Sequence, residues 1–157
     1  MDKELIKAKI ASAFDNFKNA IQQHSDINGK RADGGWSVGE IANHIIKGTK
    51  VNLSTTKQTE RSHDKYADEI KNLFLDYNRK FPSAPFLQPD SKQYSIGEVF
   101  TSLDESRNDI LKMIENDDLT ETCVDVELPV WGNLTKYEWL VLFENHIIRH
   151  TRQVTFM

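Results

Sequence analysis

The sequence holds a single cysteine, Cys123, among 157 residues. One thiol cannot close an internal bridge, and its context is no redox motif, so the fold does not rest on disulfides. A reducing compartment is the expectation. No run of about 20 apolar residues occurs, which excludes a helical membrane span. The opening residues, Met1-Asp2-Lys3-Glu4-Leu5-Ile6, are charged from the start. No apolar stretch of signal-peptide length follows, and a cytoplasmic location is expected. An excess of basic residues is also lacking. The formal net charge is -4, and the Lys and Arg residues are scattered among acids. Nucleic-acid binding needs a concentrated basic patch, so DNA and RNA are not expected partners. There is no internal repeat, low-complexity tract or domain boundary. One domain spanning 1–157 is expected, long enough to bury roughly two-thirds of its unfolded surface.

What is present is helical periodicity. From about Lys3 to Gln23 the apolar residues are Leu5, Ile6, Ala8, Ile10, Ala13, Phe14, Phe17 and Ile21, and gaps of three and four dominate. That is the period of a helix packed on one face. Gly29, Gly34 and Gly35 mark its end. Ser37-Val38-Gly39-Glu40 reads as a capping box opening a second helix, expected to end between Leu53 and Glu60. Ile70, Leu73, Phe74 and Tyr77 place a short extra helix between His63 and Lys80. Pro82, Pro85 and Pro89 then exclude helix interior and central strand. An ordered crossover is expected there, with Phe86 and Leu87 buried. Ser95-Ile96-Gly97-Glu98 opens a third long helix to about Asn116, and Thr135-Lys136-Tyr137-Glu138 a last one to about Val154. Residues 122–130 alternate like a strand but have no evident sheet to join, so an extended loop is expected. The fold class is therefore all-α, a four-helix bundle with a short extra helix in the crossover.

Polar residues break the apolar faces at three places. With His146 as zero on a wheel of about 100° per residue, His150 falls at about 40° and Phe143 at about 60°. Both histidines lie inside the apolar stripe of the last helix, one turn apart. On the second helix His44 sits at the inner edge of the stripe, with Gly48 one turn later keeping space open. A buried imidazole is costly unless satisfied. Three converging on one divalent ion would all be satisfied by it and leave a coordination position free. Taken singly, an inward histidine is more often a hydrogen-bonded core residue. His24 and His63 fall at a helix end and in a linker and are expected at the surface. Gln153 is expected either to orient a ligand or to be a polar residue of the core. Glu40 has three candidate roles: helix cap, orienter of a ligand, or general base.

The chain resembles the DinB/YfiT-like superfamily of metal-dependent proteins, in particular its DinB-like branch. The resemblance rests on Trp36-Ser37-Val38-Gly39-Glu40-Ile41-Ala42-Asn43-His44, on Phe74-Leu75-Asp76-Tyr77, and on Gly132-Asn133-Leu134-Thr135-Lys136-Tyr137-Glu138-Trp139 running on to His146 through Gln153. It implies a bundle of up-up-down-down topology. It implies a three-histidine site, His44, His146 and His150, for nickel, zinc or a similar divalent ion. Relatives with known activity include S-transferases that use bacillithiol or mycothiol, and a glutathione- or mycothiol-dependent maleylpyruvate isomerase. A low-molecular-weight thiol is therefore an implied cosubstrate. Family members are often homodimers. Apolar residues facing away from the histidines, Val141 and Ile148 on one helix and Ile46 and Leu53 on the other, fit that expectation.

Two functions follow. One is a metalloenzyme acting on a small molecule, by thiol transfer or hydrolysis, with Glu40 as a candidate proton carrier. The other is a non-catalytic metal-containing bundle that binds a small molecule or protein. A fourth protein ligand would favour the second and an open position the first.

Overall fold

A computed structural model describes all of residues 1–157. The protein is all-α. Its helices are α1 (Lys3–Gln22), α2 (Val38–Thr49), α3 (Ala67–Leu75), α4 (Ile96–Asn116) and α5 (Lys136–Thr155). The two-residue strands β1 (Thr56–Lys57) and β2 (Thr122–Cys123) pair antiparallel. Side-chain caps explain where the long helices begin. The Asp2 carboxylate accepts from Leu5 N at 3.0 Å. Ser37 with Glu40 and Thr135 with Glu138 form reciprocal capping boxes. At α4 only half of the expected box exists: Ser95 Oγ accepts from Glu98 N at 3.4 Å, with no return bond from Glu98.

The core is the sum of the inward faces. Phe14, Phe17 and Ile21 of α1, Ile41 and Ile45 of α2, Leu103 and Ile114 of α4 and Phe143 and Ile147 of α5 are all buried. Each such side chain contributes roughly 1.5–3 kcal/mol by leaving water. α1 packs on α4 and α5, α2 packs on the same two, and α3 lies along α5.

Named contacts fix the helix directions. Lys3 Nζ donates to Asp117 O at 2.8 Å, and Lys18 Nζ reaches Asp104 Oδ1 at 2.8 Å, so α1 and α4 run antiparallel. Ile6 and Ile10 line a groove with Leu140 and Val141, while His24 bonds Val154 O at 2.8 Å, so α1 and α5 run parallel. α2 runs against α5, with Gly48 facing His146 and His44 reaching back to His150. The order is therefore up, down, down, up, and not the up-up-down-down that the resemblance implied. The connections explain it. Residues 23–37 turn the chain back at the end of α1, where Gly39 N donates to Ile27 O at 2.6 Å. Residues 50–95 then return it to that same end before α4 starts.

Three further expectations are corrected. α2 ends at Thr49, earlier than its apolar spacing implied. The Thr49 hydroxyl bonds back to Ile45 O and Ile46 O, and Asn52 takes Ser54 N–H in a turn that diverts the chain. Residues 122–123 do find a sheet partner. Thr56 stands opposite Cys123, a pairing too short to leave a periodic signal. Phe86 is 66 % exposed rather than buried, while Leu87 beside it is half-buried in a single 3-10 turn, Pro85–Leu87. The outward residues are largely covered within the chain: Ile46 and Leu53 are buried, Val141 and Ile148 half-buried. His24 and His63 are half-buried.

Candidate metal centre

α2 and α5 cross where both carry inward histidines. His44 is buried, and His146 and His150 are half-buried. His44 Nε2 lies 3.0 Å from His146 Nε2, and His150 Nε2 lies 3.1 Å from the same atom. All three donor atoms fall within 4.8 Å of one another, with no fourth side chain from His, Cys, Asp or Glu in the group. Sequence spacing placed these three on inward faces, and the fold brings them together.

The opposite ring nitrogens are held. His44 Nδ1 is 2.9 Å from Leu87 O, and His150 Nδ1 is 2.7 Å from Gln153 Oε1. A carbonyl oxygen only accepts, so in both rings Nδ1 carries the proton and Nε2 presents a lone pair. This is how metal-ligating histidines are ordinarily oriented. His146 can donate to one of its neighbours at most, which leaves at least one lone pair facing its Nε2 without a proton. A divalent ion would resolve that conflict. The donor set therefore fits a metal.

Electrostatics agree. Burial lowers the pKa of all three rings, His150 to about 4 and His146 well below its ordinary range. For His146 the neighbouring His150, His44 and Arg149 charges push the same way. Neutral imidazole is the form that ligates.

Aromatic rings close around the group. Trp36 lies 4.9 Å from the His44 ring, and Phe74 lies 5.4 Å from His146. Phe74 is fixed by Arg149, whose guanidinium donates to Phe74 O at 3.0 Å and to Asp76 O at 2.9 Å, and also to Arg79 O. The Phe74 carbonyl belongs to the last turn of α3 and the other two to the segment beyond it, so one guanidinium ties the end of α3 to α5. Neither the Leu87 carbonyl nor Arg149 was singled out from the sequence. A backbone acceptor leaves no residue signature, and only the proline cluster around it hinted at a fixed path.

Glu40 is engaged elsewhere. Its Oε2 accepts from Ser37 N at 2.8 Å, and Oε1 lies 3.5 Å from Lys30 Nζ. The Ser37 bond holds its pKa below the usual carboxylate value despite partial burial. Cys123 is buried and unbridged, and burial pushes its thiol up to about 11. It is not an activated nucleophile.

An all-helical chain that gathers three histidines from two helices belongs to the class of helical proteins with a candidate metal centre. The sequence matches the DinB superfamily over residues 4–154, and the chain belongs to that family. No curated protein and no solved structure matches it.

Proposed function

We propose that His44, His146 and His150 hold one divalent ion, nickel or zinc, and that the protein is a metal-dependent enzyme acting on a small molecule. The observation that carries this reading is the convergence of three Nε2 atoms, two with their Nδ1 protons committed to Leu87 O and Gln153 Oε1. Membership of a metal-associated family supports it. Bound there, the ion would lower the pKa of a thiol or water in its remaining position. The absence of a fourth side-chain donor from the group favours such an open position over a structural site. Thiol transfer to an electrophile is the proposed reaction, with hydrolysis next. The thiol comes from a cosubstrate, since Cys123 is buried and its pKa is raised.

In this reading the chain's own residues do four things. His44 and His150 are oriented by their Nδ1 partners. Trp36 and Phe74 limit water around the rings. Arg149 keeps Phe74 in place. Glu40 serves as the cap of α2 rather than as base, because both carboxylate oxygens face partners. The four long helices act as a four-helix bundle scaffold. Pairing of two copies is proposed on family behaviour alone, and light scattering tests it.

Elemental analysis tests the metal reading directly. Protein purified without chelator or affinity metal should carry close to one equivalent of a divalent ion, and His150→Ala should carry almost none. Full occupancy in His150→Ala, or none in the unmodified protein, overturns it.

A further inference from the structure

We propose that Asn43 and Lys47 are positioning residues for His44, acting through the loop at residues 87–90. The inference rests on the three-histidine reading above and concerns what keeps one of those rings in its productive tautomer.

The starting point is the Leu87 carbonyl. It must stay 2.9 Å from His44 Nδ1 to hold the proton there. The loop has little of its own to anchor it. Phe86 is exposed, Leu87 is half-buried, and the local structure is one 3-10 turn. The anchor comes from α2. Lys47 Nζ donates to Gln88 O at 2.7 Å and to Asp90 Oδ1 at 2.7 Å. Asp90 N donates to Asn43 Oδ1 at 2.9 Å. Asn43 and Lys47 are one turn apart, so they grip the loop at two points along one helix face. His44 is the residue after Asn43. The carbonyls of residues 87 and 88 are therefore both bound by side chains of the helix that carries the ligand.

The far end of the loop is fixed as well. Tyr94 Oη donates to Asp90 O at 2.5 Å. Tyr94 in turn exchanges two bonds with Asn28, at 2.7 and 2.9 Å. Its ring lies against Gly39, where an added Cβ would meet it at 2.8 Å. The chain of contacts from Gly39 through Tyr94 to Asp90 leaves the loop one path over α2. Releasing the clamp frees the carbonyl to drift. Water would then bond Nδ1, the Nε2–H tautomer would become populated, and that form has no lone pair for a metal at Nε2.

Lys47→Ala breaks two of the three clamp bonds at a half-buried helix position, where alanine suits the helix. Two readouts are needed. In metal-free protein, the ¹⁵N shifts of the His44 ring report which nitrogen carries the proton. Competition with a chromophoric chelator reports zinc affinity. The unmodified protein should show the Nδ1–H tautomer. Lys47→Ala should show a mixture, and its zinc affinity should fall about tenfold, the low end for loss of a ligand-orienting partner. Lys47→Arg keeps donors for Gln88 O and Asp90 and should restore both. The sign separates this role from a charge effect. Removing a cation and unpairing Asp90 would, through space alone, tighten binding of a divalent ion. Asn43→Ala, which cuts only the Asp90 N–H contact, should move both readouts in the same direction by less. An unaltered tautomer with unaltered or tighter zinc binding in Lys47→Ala overturns the proposal. Should the unmodified protein bind neither zinc nor nickel, the metal reading fails, and the tautomer comparison still decides the clamp.

Discussion

Gly48 faces His146 across the α2–α5 crossing, and a Cβ built on the glycine would lie 3.6 Å from both Cε1 and Nδ1 of the imidazole. That is ordinary contact distance, so a methyl group fits and a larger side chain does not. Glycine inside a helix costs roughly 0.5–1 kcal/mol relative to alanine. Gly48→Ala is therefore expected to raise the stability of the metal-free protein by about that amount while leaving the three rings in place. Gly48→Leu should push His146 away and abolish zinc binding. Urea unfolding and zinc titration of the two variants check this. A Gly48→Leu protein that binds zinc normally would show that His146 is not confined by α2.

Metal removal should lower stability without unfolding the chain, because the core of α1, α4 and α5 does not depend on the ion. Binding at one hundred times the dissociation constant contributes about 2.7 kcal/mol. For a domain of this size that is a drop of roughly 5–10 °C in Tm on chelation. Calorimetry before and after verified metal removal gives the number. Identical curves would mean that the site is uncoupled from folding.

The sequence was most readable where one residue carries the whole signal. Ser37 with Glu40 and Thr135 with Glu138 located two helix starts to the residue, because a cap needs particular side chains at fixed spacing. The inward placement of His44, His146 and His150 followed from helical period alone. Gln153, expected either to orient a ligand or to sit as a polar core residue, bonds His150. What stayed hidden depends on chain path. The directions of α2 and α5 are set by where residues 23–37 and 117–135 turn the chain back, and no local pattern encodes that. The β1–β2 pair is two residues long and has no period. The partner of His44 is a carbonyl, which every residue possesses. Phe86 was expected inside because it is apolar, yet the 3-10 turn points it outward.

The acid side of the stability curve should report the histidines. In the metal-free fold all three pKa values lie below their ordinary value, chiefly through burial. The unfolded chain therefore binds protons first as pH falls. Above about pH 6.5 the rings are neutral in both states, and their contribution is intact. Below it stability is lost progressively, down to about 4 for His150. Denaturant unfolding of metal-free protein at several values between pH 7.5 and 4.5 should show this decline. A variant with His44, His146 and His150 all replaced by Gln should decline less over the same window. Parallel curves would remove the histidines as its cause.

The Arg61–Glu138 pair should be the most sensitive electrostatic contact outside the centre. Glu138 is fully buried, and Arg61 meets it with two bonds, at 2.8 and 2.7 Å. The same carboxylate accepts Thr135 N and Tyr66 N, each at 2.9 Å. One side chain thus caps α5 and fastens the crossover just ahead of α3. Arg61→Ala would leave a buried carboxylate without its cation, and loss of one partner of such a pair costs about 3–5 kcal/mol. The exposed pair Arg31–Asp33 offers a control, since its removal should cost no more than about 1 kcal/mol. Urea midpoints of Arg61→Ala and Arg31→Ala measured side by side test the contrast. Because α3 carries Phe74 against His146, Arg61→Ala should also weaken zinc binding, although Arg61 touches none of the three rings. A variant that loses stability but keeps full zinc affinity would show that Arg149, and not the Glu138 anchor, fixes Phe74 over the site.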